Sequence, residues 1–149
     1  MEKSTTKSVK ETQDLGQHLA QNILASSPMQ HAVVLALQGD LGAGKTTFLQ
    51  GFAKGLGIKE IVNSPTFVIM KRFALKNTPF KNFYHLDLYR LNTPEEILTL
   101  DFEKIISNPE NIVAIEWPEK LATMLPKHVI KITFGHLEEG KRHIAIDNS

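Results

Sequence analysis

The stretch Gln38-Gly-Asp-Leu-Gly-Ala-Gly-Lys-Thr-Thr47 decides how the rest of the chain is read. Gly39, four intervening residues, and then Gly44-Lys45-Thr46 match the phosphate-binding pattern G-x-x-x-x-G-K-[ST] in full. Glycines let backbone N–H groups turn inward around a β-phosphate, and the helix that follows aims the positive end of its dipole at the same point. The loop from Gly39 through Asp40, Leu41, Gly42, Ala43 and Gly44 to Lys45, Thr46 and Thr47 is therefore the predicted phosphate cradle. Lys45 is placed to reach the β- and γ-phosphates, and the Thr46 hydroxyl to ligate Mg²⁺.

The flanks supply the context the pattern requires. His31 to Leu37 is an unbroken apolar run, as expected of a strand buried on both faces. After the loop, Phe48, Leu49, Phe52, Ala53 and Leu56 recur at helical spacing, and Gly55 and Gly57 close the segment. Strand, glycine-rich loop and helix follow one another in the order a P-loop needs.

Outward from this core the elements alternate. Ser8 and Glu11 form a capping-box pattern ahead of a helical stripe of Leu15, Leu19 and Ile23, which Ser26-Ser27-Pro28 ends. The polar residues 1–7 before it are expected to fray. An extended run from Phe67 to Phe73 connects through Lys76-Asn77-Thr78-Pro79 to a second run reaching Asp87. Thr93-Pro94-Glu95-Glu96 starts a helix, and a further short helix is expected over Asp101 to Ile106. Asn111 to Glu116 is a second buried strand, Trp117 to Met124 a short helix, and Val129 to Phe134 with Arg142 to Ile146 a closing hairpin. The order implies an α/β fold: a P-loop NTPase-like three-layer sandwich with a mixed sheet, parallel at its core with antiparallel additions.

At 149 residues and 42% hydrophobic content the chain reads as one globular domain. A formal charge of +1 gives no electrostatic case for strong direct nucleic-acid binding. The basic residues near the end, Arg142 among them, read as a solvated face. With no cysteine, thiol chemistry and disulfides are excluded. The first residues lack an apolar signal region and no stretch approaches membrane-spanning length, so the cytoplasm is the expected compartment.

Hydrolysis needs more than a phosphate cradle. Glu116 follows Ile112-Val113-Ala114-Ile115, four apolar residues and an acid, which places a carboxylate at the carboxyl end of a strand, near Mg²⁺ and the γ-phosphate. The other reading is an acid at a helix start, since Trp117-Pro118 follow. Asp87 reads either as a water-orienting acid or as a solvent-facing acid paired with Arg90; Thr66 either as a γ-phosphate sensor or as a turn residue. His85 reads as structural rather than catalytic. The guanine element Asn-Lys-x-Asp is absent, and only Arg72, Arg90 and Arg142 could act as an arginine finger or lid, with none obviously placed to do so. The expected enzyme is an ATPase, slow when alone for want of an arginine finger, with Lys45, Glu116 and, on the first of its two readings, Asp87 as its catalytic set. A nucleotide-gated binding module and a small-molecule kinase are the alternatives.

Four segments go beyond a generic P-loop. Gly39 to Thr47, Ser64-Pro-Thr-Phe67, His85-Leu-Asp-Leu-Tyr-Arg-Leu91 and Ile115-Glu-Trp-Pro-Glu119, in this order, resemble the bacterial TsaE family, formerly YjeE. The resemblance implies a cytoplasmic ATPase of tRNA threonylcarbamoyladenosine biosynthesis. It implies ATP and Mg²⁺ as ligands, and TsaB and TsaD as partners that carry the tRNA, while the ATPase resets their complex between turnovers. It further implies that Gly39 to Thr47 bind phosphate, that Thr46 and Glu116 hold Mg²⁺, that Asp87 is required for hydrolysis, and that Trp117 packs near the nucleotide.

Overall fold

The computed structural model describes residues 1–27, 29–40, 42–60, 62, 69–138 and 140–148. Seven strands form one sheet: β1 (Glu2–Thr6), β2 (Val33–Gln38), β3 (Met70–Ala74), β4 (Asn82–Asp87), β5 (Asn111–Glu116), β6 (Ile130–His136) and β7 (Arg142–Asp147), in the spatial order β1-β7-β6-β2-β5-β4-β3. Strands β6, β2, β5 and β4 are parallel; β3, β7 and β1 are joined antiparallel at the two sides. This is the mixed sheet expected from the sequence.

Alternation within β2 and β5 separates two apolar layers. Leu35, Leu37, Ile112 and Ala114 face helices α1 (Val9–Ala25) and α2 (Lys45–Gly55), meeting Leu19, Ile23, Phe48 and Phe52. Val34, Val113 and Ile115 face the other way, onto Ile97, Phe102, Ile105 and Leu121. Those residues come from α3 (Phe102–Ser107) and from two 3-10 helices, Pro94–Leu100 and Pro118–Met124. The result is the three-layer sandwich. All six residues of β5 are buried, as a strand covered on both faces must be.

Helix α1 begins at the expected cap: the Ser8 hydroxyl accepts the Glu11 N–H at 3.1 Å, while the Glu11 carboxylate accepts the Lys7 N–H at 3.0 Å instead of that of Ser8, so the box is half formed. It then lies against α2 closely enough for backbone to meet backbone. A Cβ on Gly51 would run into the carbonyl of Gln13, and one on Gly16 into that of Phe48. Gly55, read in the sequence as a helix terminator, belongs to the same seam: a Cβ there would stand 2.7 Å from the Gln17 carbonyl oxygen.

One expectation is corrected. The start of the chain is not frayed, because Glu2–Thr6 pairs antiparallel with β7 as the outer strand of the sheet. An edge strand needs backbone partners rather than an apolar face, so its polar composition carried no signal of it. Thr6 is buried, and its hydroxyl lies 2.7 Å from that of Thr12, which ties the strand to α1.

Candidate functional site

Parallel pairing aligns the carboxyl ends of three strands. In the register Leu37 lies beside Glu116, and Glu116 beside Asp87, so both acids sit at the sheet end where β2 leads into the P-loop. Neighbouring strands run about 4.8 Å apart, which makes the two carboxylates lateral neighbours. A cavity of about 540 Å³ opens there, and its walls include Gly42, Gly44, Lys45, Thr46, Thr47, Asp87, Glu116 and Trp117. The topology thus brings together two acids 29 positions apart in sequence with a loop from another part of the chain.

The loop is built by local geometry. Gly44 takes φ 103°, a left-handed conformation that a side chain disfavours, and turns the chain into α2 without a capping side chain. The first-turn N–H groups of a helix opened in this way are the donors an anion uses. Gly39, Asp40 and Ala43 shape the loop rather than line the cavity: the Ala43 N–H donates to the Asp40 carbonyl at 3.1 Å, and Gly39 packs on Phe134. Leu41 lies outside the described residues, as does the whole Ser64–Phe67 segment with Thr66.

Lys45 is folded back on this loop. Its Nζ donates to the Gly39 carbonyl at 2.6 Å and stands 3.7 Å from the centre of the Trp117 ring, a cation–π contact. Burial pushes its pKa below the usual lysine value, against the opposing pull of Glu116, Glu119, Asp87 and Asp40. Trp117 itself holds φ 61°, unusual for a bulky residue. Pro118 disfavours the right-handed helical region for the residue before it, and the left-handed corner turns the chain directly after Glu116.

Glu116 is buried, and its Oε2 accepts from His85 Nε2 at 2.7 Å. It is not an exposed acid at a helix start. Asp87 is half-buried and accepts the Tyr89 N–H at 3.1 Å. Burial raises the pKa of Asp87, with the Glu116 charge adding to the effect and the Tyr89 N–H opposing it.

That direction makes a test. A carboxyl whose folded pKa exceeds its unfolded one is most favourable to the fold below the unfolded value, near 3.8, and loses that contribution as pH rises through the folded value. Asp87→Asn is therefore expected to raise the unfolding midpoint at pH 7 in EDTA, and the gain should vanish near pH 3. Solvent screening of a half-exposed group keeps the gain below about 1 kcal/mol. A destabilised Asp87→Asn protein at pH 7 would contradict the environment described for Asp87.

Arg142 and His85 were given no part in this site from the sequence. Arg142, read there as part of a solvated basic face, extends its guanidinium along the P-loop, with Nη2 donating to the Gly42 carbonyl at 3.3 Å, and lines the cavity. It reaches the loop because β7 runs beside β6, a contact no local pattern encodes. His85 was read as structural, and its bond to Glu116 depends on strand register.

Comparison with known proteins gives this site a family. Residues 6–144 match the family described as "Threonylcarbamoyl adenosine biosynthesis protein TsaE". A Bacillus subtilis protein named "tRNA threonylcarbamoyladenosine biosynthesis protein TsaE" is 41% identical over 111 residues, covering 74% of this chain and 66% of that protein. A Rickettsia typhi protein of the same name is 35% identical over 143 residues, 95% of this chain and 92% of its own length. The crystal structure of Bacillus subtilis YdiB superposes with a TM-score of 0.72 at 30% identity, covering 97% of this chain and 83% of that one. With a family match across nearly its whole length, relatives that cover most of it and the same fold in a solved structure, this chain belongs to the TsaE family.

Proposed function

We propose that the chain binds ATP with Mg²⁺ in the cavity at the P-loop and hydrolyses it, in support of the threonylcarbamoyl modification of tRNA. One observation carries the reading: the P-loop lysine and two carboxylates from separate strands meet in one cavity. Relatives named for tRNA threonylcarbamoyladenosine biosynthesis supply the process. The TsaB and TsaD proteins are the proposed partners, tRNA being met only through them.

The residues divide the work. Phosphate oxygens replace the Gly39 carbonyl as acceptors for Lys45, whose charge, partly stripped of water, acts strongly on them. Backbone donors at the start of α2 hold the same phosphates. The Thr46 hydroxyl and the Glu116 carboxylate are hard oxygen donors lining one cavity, the type of set that holds Mg²⁺ when phosphates complete its shell. Bound there, Mg²⁺ would neutralise charge developing on the phosphate oxygens. Asp87, beside Glu116 and with its pKa raised, is suited to accept a hydrogen bond from the attacking water.

A second reading, nucleotide-gated docking with hydrolysis incidental, is favoured by the cavity's mouth. Val9 and Tyr89 line the cavity yet are 64% and 46% exposed, so occupancy would change a surface. Phosphate release with and without TsaB–TsaD, measured for wild type and Asp87→Asn, separates the two. The hydrolysis reading expects Asp87→Asn to bind ATP but to lose hydrolysis by about 10²-fold or more, and to stall repeated tRNA modification. Sustained modification by the hydrolysis-dead protein would instead establish docking as the function.

A further inference from the structure

On β4, His85 and Asp87 share one face; on β5, Ala114 and Glu116 share the matching face, with His85 registered opposite Ala114 and Asp87 opposite Glu116. The small side chain of Ala114 leaves room for the imidazole to lie along the sheet towards Glu116. There the two side chains meet at 2.7 Å, with 0% of His85 and 4% of Glu116 exposed. At the other end of the ring, Nδ1 is buried and has no hydrogen-bond partner among the described residues.

Most buried polar atoms are hydrogen-bonded, so a buried ring nitrogen without a partner calls for a cause. The arrangement follows if the contact at Nε2 is what the position requires. A carboxylate only accepts, so Nε2 carries the hydrogen that joins the two side chains. His85 thereby ties down one carboxylate oxygen, Oε2, and Oε1 is the one left to meet a ligand in the cavity. Lys45 is bonded elsewhere, to the Gly39 carbonyl and over Trp117.

We infer that His85 is a positioning residue: it holds the Glu116 carboxylate in the orientation that receives the nucleotide-bound divalent cation. The inference rests on the Mg–nucleotide reading given above. Partners that orient a ligating side chain typically change metal affinity or activity by 10- to 100-fold when removed. Without His85, Glu116 is able to turn towards Lys45 or away from the cavity, so the cation loses a preset ligand while the P-loop keeps its phosphate donors.

The test is a Mn²⁺ titration of the full-length protein bound to ADP, followed by electron paramagnetic resonance, for wild type, His85→Leu and His85→Gln. ADP affinity in EDTA and thermal unfolding are measured alongside. His85→Leu fills the space without a donor, and His85→Gln keeps a donor N–H at a similar reach. His85→Leu is expected to bind ADP normally in EDTA but to weaken Mn²⁺ binding by about tenfold or more, and His85→Gln to recover it to within about threefold. The Mg²⁺ concentration giving half-maximal hydrolysis should shift in parallel. Wild-type Mn²⁺ affinity in His85→Leu overturns the proposal. So does an equal loss in both variants accompanied by weaker ADP binding in EDTA, which is the signature of packing. If wild type itself shows no Mn²⁺ binding with ADP, the Mg–nucleotide reading falls, and this proposal with it.

Discussion

Lys45→Ala is expected to weaken ATP binding by about 10- to 150-fold and to reduce hydrolysis by at least about 10²-fold beyond that. A hydrogen bond to a charged partner contributes about 1.5–3 kcal/mol, which sets the binding loss. Loss of a donor aimed at developing phosphate charge sets the second figure. The fold should survive within about 1 kcal/mol, because the substitution removes a cation whose burial is itself unfavourable while losing its bond to Gly39 and its contact with Trp117. The chain has a single tryptophan, Trp117, and Lys45 Nζ stands 3.7 Å from its ring centre. Withdrawing the lysine onto a phosphate should therefore change the protein's tryptophan fluorescence on ATP addition, and Lys45→Ala should abolish that component. Isothermal titration, phosphate release and fluorescence test the three parts. Hydrolysis at the wild-type rate in Lys45→Ala would count against the P-loop as the reaction site.

Gly51→Ala should be the most destabilising of the conservative changes considered. In an open helix alanine is favoured over glycine by about 1 kcal/mol. Here the added methyl would overlap the Gln13 carbonyl, so α1 and α2 must separate. Separation loosens the seam formed by Leu19, Ile23, Phe48 and Phe52. A net loss of about 2–4 kcal/mol is expected, lowering the unfolding midpoint by roughly 10 °C. Because α2 begins at Lys45, the displaced helix should also weaken ATP binding. Gly135→Ala is the control: nothing lies within 4 Å of its added Cβ, and its cost should stay within about 0.5 kcal/mol. Equal midpoints for the two variants would mean that the helices do not meet through Gly51.

Strand β2, the P-loop, α2 and the end of β5 at Glu116 were legible because each depends on neighbours along the chain. Apolar runs, helical spacing and a glycine-lysine pattern act over a few residues, where covalent geometry already restricts the backbone. The strand ending at Asp87 and the helix cap at Ser8 belong to the same class. The family resemblance was readable for the same reason, being a set of short motifs in order.

Other features have no local cause. Glu2–Thr6 is a strand because β7 offers it a backbone edge, not because of its side chains. Gly16 and Gly51 look like helix-weakening residues until the two helices are laid together. The bond from His85 to Glu116 exists only in a register that places β4 beside β5, where a shift of one residue would send either side chain to the other face of the sheet. Arg142 reaches Gly42 across 100 residues of chain. Short-range pattern thus sufficed for most of the elements, for the glycine-rich loop between β2 and α2, and for placing Asp87 and Glu116 at strand ends. Which side chains hold those acids in place, and how closely the helices behind them pack, was decided by pairings between distant segments, whose energies depend on distances that no run of sequence contains.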